Sequence, residues 1–334
     1  MTRTIRLTIA GALLLALTGF AALGLAACGS SASTSTTAGA GQTATSTQTA
    51  SIGDATGQAA ATTASTSGGG TATAAATAPT GAASGDYTAT ETSYTSATKT
   101  ITIQKVTTGS GNDTITYYVA DIQLAAGATL QSAFASGSYG GRVQDTSTMA
   151  QANNAIVAIN GDYYSSRDDG IIIRNGVVYR DVPTRTGLAI YKDGTMKVYD
   201  ETTTTAADLL ADGVWNTYSF GPGLLVDGQV ASGLDTYEAD ANARHPIQGV
   251  NPRSGIGMID SNHYVFVVVD GRSPGYSRGV TLTEFAQIFQ QLGCTTAYNL
   301  DGGGSSTLYF MGNVVNDPSQ QNGERAVSDI LFVG

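Results

Sequence analysis

His263-Tyr264-Val265-Phe266-Val267-Val268-Val269-Asp270-Gly271-Arg272 leads, eight residues later, into Thr281-Leu282-Thr283-Glu284-Phe285-Ala286-Gln287-Ile288-Phe289-Gln290-Gln291-Leu292-Gly293 and then Thr295-Thr296-Ala297-Tyr298-Asn299-Leu300-Asp301. The β-branched and aromatic run 263–269 predicts a buried strand. Thr281 followed three residues later by Glu284 fits a capping box. Phe285, Ile288, Phe289 and Leu292 recur at i, i+3, i+4 and i+7, and Gly293 supplies a stop, so a helix is predicted between them. A short strand at 295–300 completes a strand, helix and strand. Such a crossover is normally right-handed with its two strands parallel. Asp270 and Asp301 then both fall just past the carboxyl ends of parallel strands, where open α/β sheets place their ligands.

Outward from this unit, alternating or apolar runs bounded by Gly and Asn predict strands at 100–106, 114–124, 155–159, 171–179, 187–191 and 330–333. Arg174-Asn175-Gly176-Val177 and Lys192-Asp193-Gly194-Thr195 carry the Asn-Gly and Asp-Gly signature of type I′ hairpins. The strand at 155–159 runs into Asn160-Gly161-Asp162, a third polar cluster at a strand end. The expected fold class is α+β: a large mixed, mostly antiparallel sheet with a β-α-β crossover near the C-terminus, occupying residues 87–334 as one domain.

The preceding quarter is of another kind. Arg3 and Arg6 precede an apolar run at 7–25, the pattern of a secretory signal. The run ends in Leu25-Ala26-Ala27-Cys28-Gly29, which resembles the bacterial lipobox. The resemblance implies residues 1–27 as a lipoprotein signal, Cys28 as the lipidated mature N-terminus, and a chain anchored at the outer face of the cytoplasmic membrane. The other reading is an uncleaved membrane anchor, since the run approaches the ~20 residues a span needs. Residues 28–86 are almost wholly Ser, Thr, Ala, Gly and Gln, too poor in large apolar side chains to offset the entropy of ordering. A disordered tether is expected there.

The 334 residues carry 16 Lys+Arg against 26 Asp+Glu, a net charge of −10. A nucleic-acid partner is excluded on that ground, because phosphate backbones are gathered by a basic surface. An anionic substrate must instead meet a local cluster of cations. Two cysteines cannot form a disulfide framework, and no Cys/His set has zinc spacing. A serine-histidine triad is disfavoured too: there is no GxSxG elbow, and His245 and His263 are the only histidines.

Asn299-Leu300-Asp301-Gly302-Gly303-Gly304-Ser305-Ser306 is the least ordinary string. Its glycines admit backbone conformations in which successive N–H groups form an anion-binding nest, or simply a tight connection with an Asx turn. The lysine of a nucleotide-binding P-loop is missing. Arg253 in Asn251-Pro252-Arg253-Ser254-Gly255, Arg272 in Asp270-Gly271-Arg272 and Arg325 in Glu324-Arg325 each stand close to glycine. Taken singly, each reads as a surface ion pair or loop cap. Taken together in a chain poor in charge, their planar forks suit phosphate or carboxylate.

These strings, with Ala158-Ile159-Asn160-Gly161-Asp162-Tyr163-Tyr164 and Gly221-Pro222-Gly223-Leu224-Leu225, occur in an order that resembles the phosphodiester glycosidase family over residues 155–334. Tyr164 stands where that family more often has phenylalanine. The resemblance implies hydrolysis of a sugar 1-phosphodiester at the anomeric carbon. Ordinary glycosidases need a carboxylic acid to protonate a poor leaving group. A phosphomonoester is already a stable anion, so cations can replace much of that acid. The expected roles are Asp301, Asp270 and Asp162 as base or nucleophile and Glu324 orienting Arg325. Arg253, Arg272, Arg325 and the segment Gly302, Gly303, Gly304, Ser305, Ser306 would hold phosphate, and Asn160 and Asp162 would bind sugar hydroxyls. No cofactor is required, although Ca²⁺ or Mg²⁺ is compatible with the acids. Two other readings stay open: a metal-dependent phosphodiesterase, and a non-catalytic glycan-binding surface lipoprotein.

Overall fold

The computed structural model describes residues 87–238, 247–319 and 323–334. The signal and tether expectations, Cys28 among them, and His245 lie outside the described residues. No helix among the described residues is long and apolar enough to cross a membrane.

Two antiparallel sheets face each other. The larger has nine strands, at its centre Ile115–Leu124, His263–Val269, Arg253–Asp260 and Thr296–Asn299, neighbours in that order. The smaller has five, with Leu308–Phe310, Val157–Asn160 and Asp329–Val333 side by side. Strand alternation sorts the core into layers. Tyr264, Phe266 and Val268 face the space between the sheets, where they meet Val157, Ile159, Leu331 and Val333. Val265, Val267 and Val269 point the other way onto Phe285, Ala286 and Phe289 of the helix Leu282–Gln291. On the far side of the small sheet, Ala158, Ile330 and Phe332 pack against Met149 and Ala150 of the helix Thr146–Ala152. The result is helix, sheet, sheet, helix.

The decisive helix has the capping box its sequence foretold: Glu284 N–H donates to Thr281 Oγ1 at 3.2 Å, and Thr281 N–H donates to Glu284 Oε2 at 2.9 Å. Its flanking strands run parallel without touching. Each pairs antiparallel with Arg253–Asp260, which lies between them, and every ladder among the described residues is antiparallel. The sheet is therefore not mixed, a correction with a local cause. At Gly255 and Gly257 that intervening strand puts no side chain under the helix, since a Cβ there would lie 2.9 Å from Phe285 and 2.7 Å from Phe289. The strand's glycines make room for the helix, and they also erase the hydrophobic alternation by which a strand is read.

Residues 171–179, expected as one strand, form the hairpin Gly170–Arg174 and Val177–Val182, turning through Asn175 and Gly176 at φ 51° and 77° as a type I′ turn requires. At Lys192-Asp193-Gly194 the turn is different: Gly194 alone has positive φ, 85°, and the Gly194 and Tyr191 N–H groups donate to Tyr191 and Thr195 carbonyls. This is a three-residue loop with a glycine bulge rather than type I′. Cys294 is buried and free, as expected of a core residue, and His263 opens its strand beside Asp121, with Nε2 3.1 Å from Oδ1.

Phe289 is fully buried at the helix-sheet seam. Phe289→Ala is expected to lower stability in urea unfolding by ~3–5 kcal/mol, whereas Gly257→Ala, which crowds the same ring, should also destabilise; a neutral result for both would contradict the seam.

Candidate functional site

The antiparallel insertion of Arg253–Asp260 decides what meets at one end of the large sheet. Arg253 pairs with Val269, and Gly255 with Asn299. The start of one strand thus lies beside the ends of two others, and Arg253, the Asp270-Gly271-Arg272 turn and the Asn299–Asp301 exit converge. A cleft of about 550 Å³ opens there. Arg167, Arg253, Arg272 and Arg325 line it, with Asp301 as its one carboxylate among the described residues, and Tyr163, Phe220 and Ile247 contribute apolar wall.

Each cation is held by neutral groups more than by acids. Arg253 is buried; its Nε donates to the Val280 carbonyl at 3.1 Å, and Nη2 donates to those of Ile247 and Gly249 at 2.5 and 2.7 Å. Burial, then the nearby Arg272 charge, pushes its pKa down to about 10. Arg272 Nη2 donates to Asn251 Oδ1 at 3.0 Å, and a Cβ at Gly303 would lie 3.1 Å from the same nitrogen. Its φ of 61° is left-handed, a strain of order 1–3 kcal/mol for a non-glycine residue that its surroundings must enforce. Its pKa is also lowered, by burial and then by Arg325. Arg325 is tied to Ser305 Oγ by Nε at 2.8 Å, to Asp301 Oδ2 by Nη2 at 3.1 Å, and to the Gly302 carbonyl at 3.1 Å. Burial raises the Asp301 pKa from its ordinary value, and Arg325 pulls it part of the way back. Arginines that depress one another, beside a carboxyl reluctant to ionise, make a pocket whose electrostatic energy falls when an anion enters.

Of the residues singled out in the sequence, Asp301, Arg253, Arg272, Arg325, Gly302, Gly303 and Ser305 line this cleft. Asp270, Asp162, Glu324, Asn160, Gly304 and Ser306 do not. Asp270 accepts from Tyr276 Oη at 2.8 Å, Asn316 Nδ2 at 2.9 Å and the Asp317 N–H at 3.1 Å, so it clamps the turn that projects Arg272. Asp162 is buried, accepting from Arg174 Nη2 at 3.1 Å and from the Ser219 N–H at 2.9 Å. Glu324 accepts from the Ser147 N–H at 2.9 Å in the first turn of the helix Thr146–Ala152; Arg325 is oriented by Asp301 and Ser305 instead. Asn160 is buried and bridges the two sheets: Nδ2 donates to the Asp301 carbonyl at 2.7 Å, and Oδ1 accepts from Ser254 Oγ at 2.7 Å. The glycine nest is partly closed, because the N–H groups of Gly303, Ser305 and Ser306 donate to the carbonyls of Pro252, Gly302 and Gly303.

Sequence reasoning missed Arg167, Tyr163, Phe220, Asn251 and Asn299 in the lining. Arg167 stands five residues after Asp162, the end of the polar cluster Asn160-Gly161-Asp162. No three His, Cys, Asp or Glu side chains among the described residues come together as a metal-binding set. One carboxylate among four guanidiniums is a poor donor set for a divalent cation, which wants several anionic oxygens.

The phosphodiester glycosidase family model matches residues 153–334, and the chain belongs to that family. An uncharacterised SPbeta prophage-derived protein, YomE, of Bacillus subtilis (strain 168) is 35% identical over 193 residues, 56% of this chain and 29% of that protein. The chain thus spans under a third of the length of that curated relative. The fold is shared with the catalytic domain of zebrafish N-acetylglucosamine-1-phosphodiester α-N-acetylglucosaminidase (TM-score 0.57, 20% identity, 71% of this chain and 84% of that one). It is shared also with a hypothetical protein from Synechocystis (TM-score 0.55, 17% identity, 71% and 62%).

Beneath the cleft, Arg174 is buried between two carboxylates, Nη2 to Asp329 Oδ2 at 2.7 Å and to Asp162 Oδ2 at 3.1 Å. Burial disfavours the Arg174 cation, but the two acids more than restore it. One cation cannot satisfy both, and burial pushes Asp329 up to about 7 against the pull of Arg174. The native state therefore keeps a proton that an unfolded Asp, with a pKa of about 3.9, releases. That stabilisation is complete below about pH 4 and is lost as pH rises through about 7. Asp270 and Asp301, also raised, add the same sign. The unfolding midpoint should fall between pH 5 and 8, and Asp329→Asn should flatten the slope; a midpoint that rises over this window would contradict the assignment.

Proposed function

We propose that the chain hydrolyses sugar 1-phosphodiesters by breaking the bond between the anomeric carbon and oxygen. The observation that carries the reading is the cleft's composition among the described residues, four arginines around a single carboxylate of raised pKa. Arg253, Arg272 and Arg325 hold the phosphate and take up the negative charge that develops as it leaves. Asp301, as the carboxylate, receives a proton from water as the oxygen attacks the anomeric carbon. The bonding pair of the broken bond stays on the phosphate oxygen, so the products are the free sugar and a phosphomonoester. No acid is needed on the leaving group. The raised Asp301 pKa suits a base that works nearer neutrality.

A metal-dependent phosphodiesterase fits less well, since its ion would enter a cationic pocket. We further propose that Cys28 carries the lipid anchor and that the substrates are cell-envelope or extracellular glycans, supported by the lipobox-like Leu25-Ala26-Ala27-Cys28-Gly29. Cys28→Ala should then release the chain from the membrane fraction, and a chain that stays with the membrane would refute the lipid anchor.

With a GlcNAc-1-phosphodiester as substrate, Asp301→Asn and Arg272→Gln are each expected to lower kcat/KM by ~10²-fold or more, the size of a lost charge-stabilising group. The rate of the unaltered chain should rise with pH through the Asp301 pKa and then level off. If both variants retain activity within about tenfold, roughly 1.4 kcal/mol, the assignment is wrong.

A further inference from the structure

One guanidinium in the cleft remains after the phosphate has been accounted for. Arg167 follows the 3₁₀ turn Tyr164–Ser166, on the same exit from the small sheet that carries Asn160. Its Nε donates to Tyr163 Oη at 3.0 Å, and its Cζ lies 4.4 Å from the Tyr163 ring centroid and 5.4 Å from that of Phe220. The two rings meet edge to face, 5.3 Å apart. An arginine held this way is fixed in plane and orientation, with its rotamer entropy largely removed before any ligand arrives.

Arg167 is one of the residues that line the cleft. Arg167 Nη1 is buried and has no hydrogen-bond partner, and no ion pair among the described residues includes Arg167. A buried N–H of a cation left unpaired costs more than a neutral one, so the arrangement persists only where something else offsets it. The charge balance points the same way. Arg325 is matched by Asp301, which leaves Arg167, Arg253 and Arg272 facing one cleft with no carboxylate partner among the described residues. A phosphodiester brings a single negative charge. It cannot satisfy three cations.

We infer that Arg167 forms a second anion subsite, and that the substrates are phosphodiesters bearing a further oxyanion, a second phosphate or a carboxylate, within reach of the first. The inference rests on the cleft being the phosphodiester site proposed above. Tyr163 and Phe220 act as positioning residues that hold the guanidinium plane at the cleft wall, and the second oxyanion pairs with that guanidinium. An acceptor carrying a diphosphate or an acidic group next to the scissile phosphate would be preferred over a neutral one.

Calorimetric titration of the whole chain tests this without turnover, using two matched pairs of probes: pyrophosphate against orthophosphate, and 3-phosphoglycerate against glycerol 3-phosphate. At least one pair should show the probe with the second oxyanion group binding tighter by ~10-fold or more, about the worth of one charge-assisted hydrogen bond. Which pair does so tells phosphate from carboxylate. Arg167→Gln should bring that ratio close to one, and Arg167→Lys, which keeps the charge but not the fork, should restore it only in part. Arg272→Gln should weaken both members of a pair alike and leave the ratio standing. Equal binding within both pairs by the unaltered chain overturns the inference. So does a ratio that falls as far in Arg272→Gln as in Arg167→Gln, since the preference would then belong to the field of the whole cleft. A ratio that depends on Arg167 in a chain that hydrolyses no sugar phosphodiester would uphold the subsite and refute the proposed activity.

Discussion

The burial of like charges together in a confined space is the constraint around which this molecule is arranged. Burial lowers the pKa of both Arg253 and Arg272, and a neighbouring cation lowers each further, Arg272 acting on Arg253 and Arg325 on Arg272, in a chain whose net charge is −10. Elsewhere on an acidic surface two such cations would find carboxylates. Here they are steadied by carbonyls and an asparagine, acceptors that fix their geometry without cancelling their charge. On the proposed reading, the positive potential is thereby kept for a ligand, preorganised in the sense that no reorientation is needed when charge develops on a leaving phosphate. The left-handed Arg272 backbone is part of the same arrangement, and the buried Asp270 clamp is what enforces it.

The sheet topology supplies the convergence. Because Arg253–Asp260 runs between two strands of opposite direction, its first residue meets the last residues of both neighbours. Asn160 then fastens the end of the second sheet to this point through Ser254 and the Asp301 carbonyl. Side chains that approach the chemistry from four separate segments are thus fixed by a buried hydrogen-bond network. A loose loop assembly would not hold them to within the fraction of an ångström that such sites need.

Much of this was legible in the sequence, for identifiable reasons. The capping box and the 3.6-residue period of Phe285, Ile288 and Phe289 are local signals, and local signals survive folding unchanged. The strand Arg253–Asp260 was not legible, because Gly255 and Gly257 serve the helix that lies on them and so carry no pattern of their own. Without that strand, the two parallel segments read as neighbours and the sheet as mixed. Arginines 253, 272 and 325 stood out as scarce cations beside glycine. Arg167 is followed by Asp168-Asp169, with its nearest glycine three residues on, and so did not stand out in this way. The carboxylates show the limit most sharply. Asp301 faces the cleft, while Asp162 and Asp270 are engaged with Arg174 and with Tyr276 and Asn316, partners distant in sequence or unremarkable in type.

The central claim is that this cationic cleft releases phosphate as a leaving group from carbon, and the fate of the water oxygen tests it most directly. Hydrolysis of a sugar 1-phosphodiester in water enriched in oxygen-18, followed by mass spectrometry of both products, should place the label in the free sugar and leave the phosphomonoester unlabelled. Label in the phosphate would mean that the phosphorus–oxygen bond breaks instead, and would contradict the account.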